Sequence, residues 1–226
     1  TALLGRSWPH ARGAHLTIAR LAVDTGYEAP AVYTWARAQG FAQVAPVKGV
    51  DGFNRSSPVS GPTYVDATEG GRRLRRGARL WTVAVSTFKA ETYRFLRLER
   101  PTADEIAEGA TCQPGTVHLP EWVESEWLKQ LVGEQLVTLR TKRGFARLEW
   151  QKLRERNEAL DCRVYARAAA WIAGADRWSD AKWRDLEDQL GVADTDADPA
   201  GQINRQAPAQ QAKRRSDWLG RRGGWF

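Results

Sequence analysis

Methionine is absent from the 226-residue chain, initiator included, which predicts that Thr1 opens an excised or processed piece of a longer polypeptide. Cysteine is nearly absent. Cys112 and Cys162 stand alone without CxxC spacing, which excludes a disulfide framework and a zinc site and suits a reducing, cytosolic compartment. No apolar run approaches the roughly 20 residues of a membrane span, and no signal-peptide core follows Thr1, so no membrane partner is expected. The phosphate-binding pattern GxxxxGK followed by Ser or Thr is missing too, so a nucleotide-driven motor has to lie elsewhere. The histidines offer little: His118, between apolar neighbours, reads as a packed side chain rather than a ligand.

What is present is a core and an excess of arginine. A hydrophobic content of 42% with 11 tryptophans fills a sizeable interior. The net charge of +7 rests mostly on arginine, which suits a polyanionic partner such as nucleic acid. Arginine usage in a GC-rich genome is the competing explanation.

Along the chain, HLTIARLAVDTG from His15 reads as a mostly apolar strand ending at Asp24. APAVYTWARAQG has helical periodicity with Gly40 as its stop, and FAQVAPVKG closes a strand, helix, strand unit that is expected to be parallel. Residues 50–79, rich in Gly, Ser, Pro and Arg, read as a long loop that is either functional or disordered. LWTVAV is a third strand, and STFKAETYRFLRL a helix with Ser86 as N-cap. GTVHLP reads as a short strand and EWVESEWLKQLVGE as an amphipathic helix. QLVTLRT and FARLEWQK around KRG form a β-hairpin. A long helix through Asp161 and a second one capped by Ser179 and stopped by Gly191 complete the ordered part. The fold class is therefore α/β, with residues 1–175 as the main domain, 176–191 as a C-terminal helix and 192–226 as a disordered linker and basic, tryptophan-rich tail.

Two aspartates carry the chemistry. At about 100° per residue, Leu160, Val164, Ala168, Trp171 and Ile172 share one face of the long helix, and Asp161 projects into it. A carboxylate there needs a cation, either a buried arginine such as Arg154 or Arg156 or a metal. Asn157 and Glu158 lie one turn earlier on the same side. Asp24 sits at the carboxyl end of a strand, where α/β sheets build sites, or else caps the Thr25-Gly26 turn. If Asp24 and Asp161 converge, two hard oxygen ligands in a basic surround make a Mg²⁺ or Mn²⁺ site. Lys48 and Lys89 are candidates for phosphate contacts. Arg72, Arg73, Arg75 and Arg76, flanked by glycines and without nearby acids, read as a DNA-facing loop.

The blocks LAVDTGYEAPAVYTWAR, VAPVKG, FKAETYRFL, GTVHLP and RNEALDCRVYARAA, in this order over about residues 14–173, resemble the nuclease domain of lambda-type phage terminase large subunits, the GpA family. The resemblance implies an RNase H-like mixed sheet flanked by helices, with a hairpin insertion and a C-terminal tail. It implies three acids that use divalent metal to cut concatemeric double-stranded DNA during packaging, in the host cytoplasm at the procapsid. Asp24 matches the second acid and Asp161 the third, so both take metal-ligand and catalytic roles. The first acid lies in the family on an earlier strand, in a motif like GVDVQ, and no Asp or Glu precedes Asp24. The expectation is a sheet lacking its first strand or strands, with Glu158, Glu91 or Asp51 as the substitute ligand and Lys89 and Asn157 as auxiliaries.

Arg154 and Arg156 join the expected DNA contacts. The implied partners are an upstream ATPase domain, a small terminase subunit, and the portal, docked through Trp218, Trp225 and Phe226. A second expectation, of another class, is a non-catalytic module that binds DNA and docks on the portal. A host RNase H-like junction protein is a third.

Overall fold

A computed structural model describes residues 2–10 and 12–192. Two short strands, β1 (Ser7–Pro9) and β2 (His15–Thr17), pair antiparallel and, among the described residues, only with each other. The stretch expected as one strand from His15 is thus broken, and β3 covers only Leu21–Asp24. Its polar break at Arg20 lets Gln43 reach back, the amide of Leu21 donating to Gln43 O and the Gln43 side chain to Ile18 O.

Helix α1 (Ala29–Gln39) follows, with Pro30 in its first turn, and ends at Gly40, whose φ of 90° and amide bonds to Ala36 O and Arg37 O stop it. Strand β4 (Val44–Val50) then lies parallel to β3, as the strand, helix, strand reading requires. Residues expected as a long loop instead form a hairpin, β5 (Val59–Glu69) and β6 (Arg72–Ala84), turning at Gly70 and Gly71. Val59 and Thr63 of β5 pair with Val83 and Leu80 of β6, and Tyr64 and Val65 with Arg79 and Ala78, a signal obscured by the interspersed Gly, Pro and Arg. The four-stranded sheet runs β3-β4-β6-β5, parallel except for β5.

Helix α2 (Val85–Phe95) starts directly from β6, so its N-cap is Ala84; Ser86 lies inside the first turn and its hydroxyl accepts the Gly52 amide. A short helix, α3 (Ala103–Ala107), carries a capping box between Thr102 and Glu105. GTVHLP is not a strand: Gly115 and its successors run as coil hard against the Phe95 ring, which leaves no partner for a ladder. Helix α4 (Ser125–Leu131) leads into the hairpin β7 (Glu134–Arg140) and β8 (Ala146–Lys152), paired only with each other. Helix α5 (Glu158–Ala173) and α6 (Asp180–Leu190) follow; α6 is capped by the Ser179 hydroxyl and stopped by Gly191, as expected.

The core cluster joins Val47, Val59 and Val83 of the sheet to Phe88 of α2 and Leu160, Val164 and Ala168 of α5. Helix α1 packs across all four strands of that sheet. Among the described residues no helix is long and apolar enough to cross a membrane. The tail with Trp218, Trp225 and Phe226 lies outside the described residues.

Candidate active site

Parallel strands end together, so Asp24 at the end of β3 and Gly49 near the end of β4 share one edge of the sheet. Helix α5 crosses β3 and brings Asp161 to the same place. Both acids line one cavity of about 780 Å³, with Asp51, Lys89, Glu158, Tyr165 and Arg20 also in its wall. Asp161 therefore faces a cavity at the rim of the apolar side rather than the core itself. It is half-buried, and burial holds its carboxyl above the usual carboxylate range; the charges of Glu134 and Asp24 push the same way, while Lys89 and Lys152 oppose.

Tyr165, one turn after Asp161, donates its hydroxyl to Asp24 Oδ1 at 3.2 Å. Burial, and then the Asp24 charge, push the phenol well above its ordinary value, so Tyr165 stays a neutral donor that orients Asp24. The partner of Asp24 is thus Tyr165 rather than the Thr25-Gly26 turn. Tyr165 fits because Gly49 has no side chain: a Cβ there would stand 2.7 Å from the Tyr165 hydroxyl and 2.9 Å from Val85 Cγ1. Gly49→Ala is expected to cost about 1–3 kcal/mol by overpacking. Urea unfolding checks this, and Tyr165→Phe in the same chain, which removes the nearer atom, should return part of the loss.

Lys89 does not reach out for phosphate. It is buried and pairs with Glu134, its Nζ 2.9 and 2.8 Å from the two carboxylate oxygens, and Asn157 Nδ2 donates to Glu134 Oε1 at 2.6 Å. Asn157 caps nothing through its side chain; it locks the start of α5 to the base of β7. Glu158, exposed at the helix start, has its carboxyl held below the usual range by its own backbone amide and by Arg156. Arg154 pairs with Glu126 and Arg156 with Glu158, so neither bridges Asp161. Glu91 is taken by Arg167, which leaves Asp51 and Glu158 as the expected substitutes that line the cavity.

Other expected DNA contacts lie elsewhere. Lys48, one residue from Gly49 on the same strand, points to the opposite face of the sheet. Arg72 begins β6, and Trp81 of that strand is level with Asp24 through Val47. At about 3.3 Å per residue Arg72 sits roughly 30 Å from the acids, at the other end of the sheet. The arginine run is also not free of acids: Arg73 donates to Asp66, Asp66 accepts the Arg76 amide, and Arg37 pairs with Glu69. Asp66 and Glu69 stand six and three residues before Arg72 in the sequence itself, and the hairpin turn lays them across from the run.

Tyr165, Glu134 and Lys152 escaped the reading of the sequence. Only Tyr165 carried a signal, its four-residue spacing from Asp161. The oxygen donors gathered here suit a hard divalent cation such as Mg²⁺ or Mn²⁺. They make two facing carboxylates with flanking acids; among the described residues no group of three metal-ligating side chains is close enough to form a ready-made cage.

Residues 1–183 match the model of the family described as terminase large subunit gpA, endonuclease domain. The chain is 33% identical over 178 residues to the terminase large subunit of Enterobacteria phage P21, covering 78% of this chain and 26% of that protein. To the terminase large subunit of Escherichia phage lambda it is 29% identical over 194 residues, 84% of this chain and 28% of that protein. It spans about a quarter of the length of these curated relatives. No solved structure matches it. With most of its length under one family model, the chain belongs to the family of terminase large subunit gpA endonuclease domains.

Proposed function

We propose that this chain is the RNase H-like endonuclease domain of a phage packaging terminase, cutting concatemeric double-stranded DNA in the host cytoplasm with Mg²⁺ or Mn²⁺. The observation that carries the reading is the meeting of Asp24 and Asp161, far apart in sequence, in one cavity at the carboxyl edge of the parallel strands. Asp24 and Asp161 would hold the ion, which supplies polarisation of a phosphate oxygen and an acidified water. Tyr165 fixes the Asp24 carboxylate, and the field of Lys89 and Lys152 favours ionised Asp161. The portal, docked by Trp218, Trp225 and Phe226, the small subunit and the ATPase domain are the proposed partners.

Plasmid nicking by this chain at low salt with Mn²⁺ or Mg²⁺, beside Asp161→Asn, tests it. Loss of nicking in the variant supports the assignment, and cutting at the wild-type rate removes Asp161 from the site. The lack of a three-ligand group among the described residues favours a second reading, a DNA-binding and portal-docking module without catalysis. Wild-type protein that binds duplex yet nicks with neither metal would select it.

A further inference from the structure

The hairpin β7–β8 is unexplained by the fold. Among the described residues its strands pair only with each other, and beyond Val137 on β7 and Glu149 on β8 every residue to the turn is exposed. A two-stranded ribbon that buries so little is marginal alone. Its base is nevertheless held firmly. Glu134 is buried and bound by Lys89 and Asn157, the Glu134 amide donates to the Tyr93 hydroxyl at 3.1 Å, and Trp150 packs its ring 5.0 Å from that of Tyr93. The cross-strand partner of Glu134 is Lys152, whose charge acts on both Asp161 and Glu158. The ribbon is thus rooted beside the acid cavity through Lys89, and none of its own residues lines that cavity.

The distal half has one sign of charge. The eight residues from Arg140 to Arg147, RTKRGFAR, hold Arg140, Lys142, Arg143 and Arg147 and no acid, with Phe145 at the turn 70% exposed. Arg140 on β7 and Arg147 on β8 point to opposite faces of the ribbon, but Arg147 pairs with Glu149 at 3.2 Å, so the excess positive charge sits at Arg140 and at the tip with Lys142 and Arg143. Cations held on a ribbon anchored at its base fit the phosphate backbone of a duplex. Six residue steps from the Glu134–Lys152 pair to the Arg140–Ala146 pair span about 20 Å, the rise of roughly six base pairs.

We propose that β7–β8 is a DNA-contacting arm that lies along the backbone of the duplex flanking the cut, with Lys142 and Arg143 on phosphates. The proposal rests on the endonuclease reading above. It moves the DNA-contacting cations from the β5–β6 tip to a hairpin rooted beside the acid cavity.

The test compares the wild-type chain with Lys142→Ala/Arg143→Ala, and with Arg73→Ala/Arg75→Ala at the β5–β6 tip as a control. Binding to a 30-base-pair duplex is measured without metal by fluorescence anisotropy over a salt series. Loss of two phosphate contacts should weaken binding on the order of tenfold at low salt and flatten the slope of log K against log salt by about 1.8. The hydroxyl-radical footprint should shorten on one side by about half a helical turn, and the β5–β6 control should bind as wild type. Unchanged affinity, slope and footprint in the hairpin variant overturn the arm while leaving the nuclease reading intact. A changed sedimentation coefficient with unchanged DNA binding would make the ribbon a protein interface and overturn the arm as well. Wild-type protein that neither binds nor nicks duplex overturns both readings together.

Discussion

Asp161→Asn is expected to lower metal-dependent nicking about 10³-fold or more and, in the same protein, to raise the melting temperature at pH 7. The first effect follows from the several kcal/mol that a bound divalent cation supplies to the transition state, at about 1.36 kcal/mol per tenfold in rate. An amide in place of one carboxylate removes a charge from the pair, Asp24 and Asp161, to which the ion is assigned. The second effect follows from the direction of the Asp161 shift. Its folded carboxyl titrates above the unfolded value of about 3.9, so between those two values the folded state holds more protons and stability falls as pH rises. At pH 7 that penalty is fully present, and asparagine removes it. Discounted for the exposed half of the side chain, the gain is on the order of 1 kcal/mol or less, up to about 2–4 °C in a domain of this size. Melting curves of both proteins between pH 4 and 7 check the sign: the gap should narrow as pH falls. A variant that loses activity and also melts lower at pH 7 would contradict the placement of Asp161 against like charge.

Glu134→Gln is expected to destabilise the domain by about 3–5 kcal/mol, because it leaves the largely buried Lys89 cation without its carboxylate. The side chains of Lys89 and Glu134 are only 9% and 3% exposed, and Lys89 Nζ has no other carboxylate within bonding distance among the described residues. The melting temperature should fall by on the order of 10 °C. Lys89→Met added to Glu134→Gln removes the stranded charge while leaving an oxygen for Asn157, and should recover at least half of the loss. Equal stability of the two variants would mean that the charge is met by something other than Glu134. The pair also joins α2, the base of β7 and the start of α5, so its loss should loosen the hairpin arm before the sheet.

How far the sequence was legible varied by element. The strand, helix, strand unit from Leu21 to Val50 could be read because it is local and its punctuation, Pro30 and Gly40, acts through backbone chemistry alone. Helix α6, with Ser179 and Gly191, could be read for the same reason. Of hairpin β5–β6 only the end of β6, LWTVAV, could be read as a strand; the rest could not, since its Gly, Pro and Arg content is that of a loop. The two acids of the site stood out because one ends a strand and the other interrupts an apolar helix face. Their surroundings did not. Glu134 sits in a strand whose other residues are mostly exposed, and only tertiary packing turns it into a buried partner of Lys89. Likewise Arg154 and Arg156, free cations on paper, are each met by a glutamate in the fold.

Strand β3 has β4 on one side and, among the described residues, no strand on the other. The amides of Leu21 and Thr25 donate to Gln43 O and Val47 O, and the two-residue repeat of a strand turns those of Ala22 and Asp24 outward. Proton exchange with heavy water should therefore alternate along four consecutive residues, slow at Leu21 and Val23 and fast at Ala22 and Asp24. That alternation is a gauge at the edge that carries Asp24: any segment that adds a strand there would silence the fast pair, and the amide of Asp24 would be the first atom of the cavity wall to register its arrival.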